Sequence, residues 1–248
     1  MKKTIFGIAI LIAVAPGQIR AAEQAAPLVA VAANFTGAMA KIAATYKNES
    51  GKELQMVYSS TGKLYAQIRN GAPFDLFLAA DQRRPDLLAE EGLCATPFIY
   101  ATGQAVLWTK DTGTAGAKNW QEAIAYNQAG KIAISTPETA PYGAAAMAAL
   151  EKAELRGRVD SRLVYGHNVA QAFQFAYQGS AELSFTALSL ALSSQGAEGR
   201  YWPIPEAPAV VQKGCAVKKS SHAEAIAEFL DFLQRDEAKT VLAELGYK

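Results

Sequence analysis

Short apolar runs of strand length alternate with longer amphipathic stretches from residue 28 onwards, and this alternation limits the chain to an α/β fold with largely parallel strands. The strand candidates are residues 28–33, 54–58, 74–79, 105–109, 131–135, 163–165 and 182–186. Helical patterns fill the gaps. Asp81 is a candidate N-cap for a helix over 85–91 that Gly92 ends, and Ser221-His222-Ala223-Glu224 reads as a capping box. That box opens a last helix with Ile226, Phe229, Leu230 and Leu233 on one face. A chain of 248 residues, 50% hydrophobic, can form one large domain or two modest ones, and two are favoured here.

The stretch ahead of the first strand candidate has another character. Met1-Lys2-Lys3 leads into an apolar run from Ile5 to Ala15, then Pro16-Gly17 and the small pair Ala21-Ala22. This is the pattern of a secretory signal peptide, residues 1–21, with cleavage after Ala21 or Ala22. The run is too short to span a bilayer, which takes about 20 apolar residues. Export to an oxidising space is expected. In such a compartment a widely separated pair, Cys94 and Cys215, is more often a structural disulfide than a metal site. His167 and His222 have no neighbouring Cys or His, so no spacing for direct cation ligands is present.

Losing residues 1–21 removes Lys2, Lys3 and Arg20 and no acid, which takes the formal charge from +1 to −2. Basic residues cluster no further than pairs such as Lys218-Lys219. A nearly neutral surface argues against nucleic acid or an anionic membrane as partner.

Four strand-to-helix junctions carry the functional signal: Asn34-Phe35-Thr36, Ser59-Ser60-Thr61-Gly62, Ala140-Pro141-Tyr142-Gly143 and His167-Asn168-Val169. At each, small, hydroxyl or amide residues close a strand and a helix starts at once, over 37–46, 63–69, 142–152 and 169–177. A helix start leaves its first N–H groups unpaired and carries about half a positive charge, so several starts meeting at one point bind an anion without Lys or Arg. In an open α/β sheet, ligands gather beyond the carboxyl ends of the strands, where these junctions fall. Singly, each is an ordinary N-cap. Lys63 reads as a solvated first-turn residue and His167 as a hydrogen-bonded rim residue.

Further motifs accompany the junctions. They are Val31-Ala32-Ala33-Asn34-Phe35, Ser60-Thr61-Gly62 followed by Tyr65-Ala66-Gln67-Ile68, Asn70-Gly71-Ala72-Pro73-Phe74-Asp75, and Ala79-Ala80-Asp81. Tyr100-Ala101-Thr102-Gly103, Ala140-Pro141-Tyr142-Gly143 and Asn168-Val169-Ala170-Gln171-Ala172 complete the set. Taken together they make the chain resemble, over nearly its whole mature length, the molybdate- and tungstate-binding proteins of bacterial ABC importers, a branch of the periplasmic binding proteins.

That resemblance implies two α/β lobes, each a mainly parallel sheet flanked by helices. Two crossovers, near residues 100–103 and 206–214, would join them. The first lobe then takes residues 28–102 with 213–248, and the second 103–212. It also implies a non-enzymatic, periplasmic and monomeric protein. Such a protein has no cofactor beyond its bound oxyanion, molybdate or tungstate, which it delivers to a membrane permease. By position, the implied ligand residues are Asn34, Ser60, Thr61, Tyr142 and Val169, the last two through their backbones. Many members place a donor Tyr where this chain has Phe185, so the chain matches a branch that does without it.

A site made only of donors suits an unprotonated tetrahedral dianion, because phosphate near neutral pH keeps a proton that needs an acceptor. Sulfate or another oxyanion is the alternative ligand. A serine hydrolase using Ser59 or Ser60 with His167 and Asp75 is a reading from another class, but neither serine lies in a Gly-x-Ser-x-Gly elbow. Thr61-Gly62-Lys63 lacks the earlier glycine of a phosphate-binding loop.

Overall fold

The computed structural model describes residues 25–248, so the expected signal peptide lies outside the described residues. Ten strands run β1 (Leu28–Ala32), β2 (Gln55–Ser59), β3 (Leu76–Leu78), β4 (Phe98–Gly103), β5 (Ala105–Thr109), β6 (Ile132–Ser135), β7 (Leu163–Gly166), β8 (Leu183–Ala187), β9 (Arg200–Pro203) and β10 (Val210–Ala216). The helices are α1 (Thr36–Ser50), α2 (Thr61–Arg69), α3 (Arg83–Glu90), α4 (Trp120–Tyr126), α5 (Pro141–Lys152), α6 (Arg156–Val159), α7 (Val169–Tyr177), α8 (Leu188–Ala191), α9 (Ala223–Leu233) and α10 (Asp236–Glu244).

The strands form two five-stranded sheets, ordered β2-β1-β3-β10-β4 and β7-β6-β8-β5-β9. Each sheet is mainly parallel, with one strand reversed: β10 runs antiparallel to β3 and β4, and β5 antiparallel to β8 and β9. Central strands such as β5, β6 and β8 are buried along their full length, because helices cover both faces. The chain passes between sheets at Gln104, joining β4 to β5, and again between β9 and β10. The two passages lie side by side, since Val210 pairs with Gly103.

In the first unit Phe35, Met39, Ile42, Phe229 and Phe232 pack against Val29, Val31, Leu76 and Leu78. The second unit buries Trp120, Ile132, Ile134, Leu150 and Phe185 together. Burying a side chain of this size stabilises the fold by about 1.5–3 kcal/mol. Cys94 and Cys215 are disulfide-bonded with Cα atoms 5.8 Å apart, tying the segment after α3 to β10.

Three local expectations are corrected. The helix after Asp81 starts at Arg83 rather than 85, which puts Gln82 and not Asp81 at the N-cap position; Asp81, one residue further out, accepts the Arg84 N–H at 3.0 Å. The capping box at 221–224 does not form: α9 has no side-chain cap, and the His222 N–H donates to Ser220 Oγ at 2.9 Å instead. Nor is α9 the last helix, because α10 follows, with Asp236 and Glu237 in its first turn, where acids complement the helix dipole.

Candidate functional site

The parallel strands β1, β2 and β3 end at Ala32, Ser59 and Leu78, and β6 and β7 end at Ser135 and Gly166. Segments just beyond these five ends meet in one cavity between the two sheets. Ala33, Asn34, Ser60, Thr61 and Ala80 line it from one side, and Ala140, Pro141, Tyr142, Asn168 and Val169 from the other. The cavity is narrow, with free space of about one water molecule. No lining residue carries a charged side chain. All five sequence-predicted site residues are therefore brought together. Lys63 and His167 are exposed, as rim or solvated residues are.

The orphan N–H groups of α2 divide their partners. Lys63 donates to Ser60 Oγ at 3.4 Å, and Gly62 donates across the cleft to the Thr139 carbonyl at 2.8 Å. The N–H of Thr61 meets no acceptor among the described residues, and neither do those of Tyr142 and Val169. Each belongs to the first turn of its helix, where no intrahelical acceptor exists. Pro141 opens α5 with no N–H to satisfy and a φ already suited to a helix. Gly143 lets α5 start hard against β6: a Cβ there would lie 1.9 Å from the Ser135 carbonyl oxygen. At α7 the Asn168 side chain caps the Gln171 N–H at 2.9 Å, leaving Val169 at the cavity.

The two hydroxyls are oriented by what they accept. Thr61 Oγ1 takes the Ala80 N–H at 3.0 Å and Ser60 Oγ the Lys63 N–H, so each keeps its proton to donate.

Asn34 differs. Its Nδ2 donates to Gln212 Oε1 at 2.8 Å and to Tyr247 Oη at 3.1 Å, which takes up both amide hydrogens. An anion can therefore meet a donor at Asn34 only on the main chain. Behind Asn34 lies a buried polar brace: Tyr100 donates to Gln212 Oε1 at 3.1 Å, and Ser189 and Tyr247 donate to the Asn34 carbonyl at 2.9 and 2.8 Å. Burial, which penalises the phenolate, raises the Tyr100, Tyr142 and Tyr247 hydroxyls above the ordinary tyrosine range. All three stay neutral near pH 7. Gln212, Tyr247 and Ser189 were not legible from the sequence, because they lie 178, 213 and 155 residues from Asn34 in segments with no junction character.

Phe185 is buried in the second core, its ring 6.0 Å from that of Trp120, and does not line the cavity. The hydrolase alternative has no geometry behind it. Asp75 precedes β3, at the opposite end of the sheet, where it accepts the Leu28 N–H at 2.7 Å and faces His222 Nδ1 at 3.1 Å rather than His167. Among the described residues no group of three His, Cys, Asp or Glu side chains could hold a metal ion.

A family model described as bacterial extracellular solute-binding protein matches residues 27–248. The molybdate-binding protein ModA of Azotobacter vinelandii is 38% identical over 251 residues, covering 96% of each chain. That of Rhodobacter capsulatus is 34% identical, covering 89% of this chain and 87% of the relative. The solved structure of the Azotobacter vinelandii periplasmic molybdate-binding protein superposes with a TM-score of 0.84 at 29% identity, over 90% of this chain and 98% of that one. The sulfate-binding protein SubI of Mycobacterium tuberculosis, at 14% identity and a TM-score of 0.74 over 90% of this chain and 85% of that one, shares the fold. With two sheets joined by two crossings and helix starts gathered between them, the chain belongs to the bacterial extracellular solute-binding proteins.

Proposed function

We propose that this chain captures a tetrahedral oxyanion, molybdate or tungstate, in the periplasm and delivers it to the membrane permease of an ABC importer. The two lobes, expected as 28–102 with 213–248 and 103–212, divide instead in the β4–β5 and β9–β10 connections, because Gly103 and residues 210–212 belong to strands of the first sheet. They would close on the anion as a monomer, with no cofactor beyond the ligand. Thr61 and Ser60 donate through hydroxyls, and Asn34, Tyr142 and Val169 through the main chain. The observation that carries this reading is a cavity lined from both sides by first-turn N–H groups and donor hydroxyls, with no charged side chain. Such a lining stabilises a dianion by dipoles already in place. It performs no chemistry on its ligand. The names of the relatives at 38% and 34% identity support molybdate in particular.

Sulfate has the same charge and shape in a smaller radius, so cavity size must separate the anions. Isothermal titration with molybdate, tungstate, sulfate and phosphate in parallel tests the assignment. A ligand at 100 times its dissociation constant stabilises the folded state by about 2.7 kcal/mol, so molybdate should also raise the melting temperature. Heat release and a melting shift from sulfate alone would reject molybdate and tungstate.

A further inference from the structure

Besides the Ser189–Asn34 contact behind the cavity, two hydrogen bonds cross the cleft to one turn of the second lobe. Gly62 donates its N–H to the Thr139 carbonyl at 2.8 Å, and Arg84 donates Nη2 to the Glu138 carbonyl at 2.7 Å. Arg84 is held for this by Asp81, which pairs with its Nη1 and accepts its backbone N–H at 3.0 Å. The guanidinium thus uses both arms of its fork, one within its own lobe and one across the cleft. Close approach at the other contact depends on glycine, because a Cβ on Gly62 would lie 2.9 Å from Thr139 Cα.

The turn that they hold is itself rigid. Thr139 and Ala140 donate their N–H groups to the Thr136 carbonyl at 3.2 and 2.9 Å, and Thr136 is bound through N and Oγ1 to the Gly166 carbonyl at 2.9 and 3.1 Å. Tyr142 follows this turn by two residues and Val169 follows Gly166 by three. Pulling the turn towards the first lobe therefore carries both second-lobe N–H donors towards the cavity.

From this geometry we infer that Gly62 and Arg84 form a closing clasp that sets how long the oxyanion stays bound, without touching it. The inference rests on the oxyanion reading above. Arg84 is a positioning residue: it acts on the anion through the Glu138 carbonyl and the turn that presents Tyr142. Because the bonds exist only when the lobes are together, they stabilise the closed state and not the encounter, so their loss falls on dissociation.

The test compares wild type with Arg84→Met, Arg84→Lys and Gly62→Ala, using labelled molybdate chased with excess unlabelled molybdate. Loss of a hydrogen bond to a charged donor predicts dissociation about tenfold faster for Arg84→Met. Association should stay within about twofold, as interface changes act mostly on the off-rate. Arg84→Lys, whose single ammonium cannot span Asp81 and Glu138 in the same fork, should fall between. Gly62→Ala should dissociate faster by holding the lobes apart. Unligated melting temperatures equal to wild type separate the clasp from a folding defect, and unchanged dissociation in both Arg84→Met and Gly62→Ala overturns it. If wild type binds no oxyanion, the ligand reading fails by itself. The clasp is then judged by ligand-free small-angle scattering: a larger radius for Arg84→Met than for wild type supports it, and superimposable curves reject it.

Discussion

Ala80 donates its backbone N–H to Thr61 Oγ1 at 3.0 Å, so a residue just past β3 occupies the acceptor side of the second junction's hydroxyl. With an oxygen lone pair taken, the hydroxyl keeps its hydrogen for a partner in the cavity that both residues line. Thr61→Val keeps the shape and removes the donor. Its expected cost in oxyanion affinity is about 1.5–3 kcal/mol, since the bond is to a charged partner. Isothermal titration giving the wild-type affinity would exclude this hydroxyl as a ligand.

Gly143→Ala should damage the site through packing alone. The new Cβ would sit 1.9 Å from the Ser135 carbonyl oxygen, a contact with backbone that cannot rotate away. Overpacking of this kind costs about 1–3 kcal/mol. Denaturant unfolding should register the loss, and binding should weaken as the Tyr142 N–H moves. A variant with wild-type stability and affinity would show that α5 is free to shift.

The buried phenols of Tyr100, Tyr142 and Tyr247 tie stability to alkaline pH. Their folded pKa values lie above the unfolded one, near 10, so their contribution is fully present below about pH 10 and is lost as pH rises beyond it. Unfolding free energy should fall above that pH, and less steeply in Tyr247→Phe. Equal slopes for both proteins between neutral and strongly alkaline pH would mean that Tyr247 ionises without opening the fold.

The disulfide joins residues 121 apart in sequence, so its removal relaxes a large loop in the unfolded chain. Replacing Cys94 and Cys215 together by alanine should lower stability by about 2–5 kcal/mol. The anion affinity should not change, because neither cysteine lines the cavity. A native chain that takes up two equivalents of thiol reagent without reductant contradicts the bond.

The α/β class and the strand-to-helix junctions were legible in the linear sequence because each depends on neighbours within one turn or one strand, whereas the choice of five cavity residues among those junctions came from the family resemblance. The α7 bounds Val169–Tyr177 and the β5 bounds Ala105–Thr109 came out as the local pattern predicts. Less visible were β9, an exposed strand with only Trp202 buried, and β10, whose apolar run is broken by Gln212 and Lys213 where the register with β4 shifts. The helix α10 had an available signal in Ala238, Val241, Leu242 and Leu245, spaced to share one helix face.

Sequence alone determined that uncharged helix starts would present N–H groups at the carboxyl ends of strands, since capping and period are local properties. Tertiary structure alone decided which donors remain free. Both amide hydrogens of Asn34 are taken by Gln212 and Tyr247, the Gly62 N–H by Thr139, and the acceptor side of Thr61 by Ala80. Those partners come from distant segments and, for Thr139, from the other side of the cleft. Hydrogen-bond satisfaction is settled by the packed molecule as a whole, and no stretch of sequence holds both halves of such a bond.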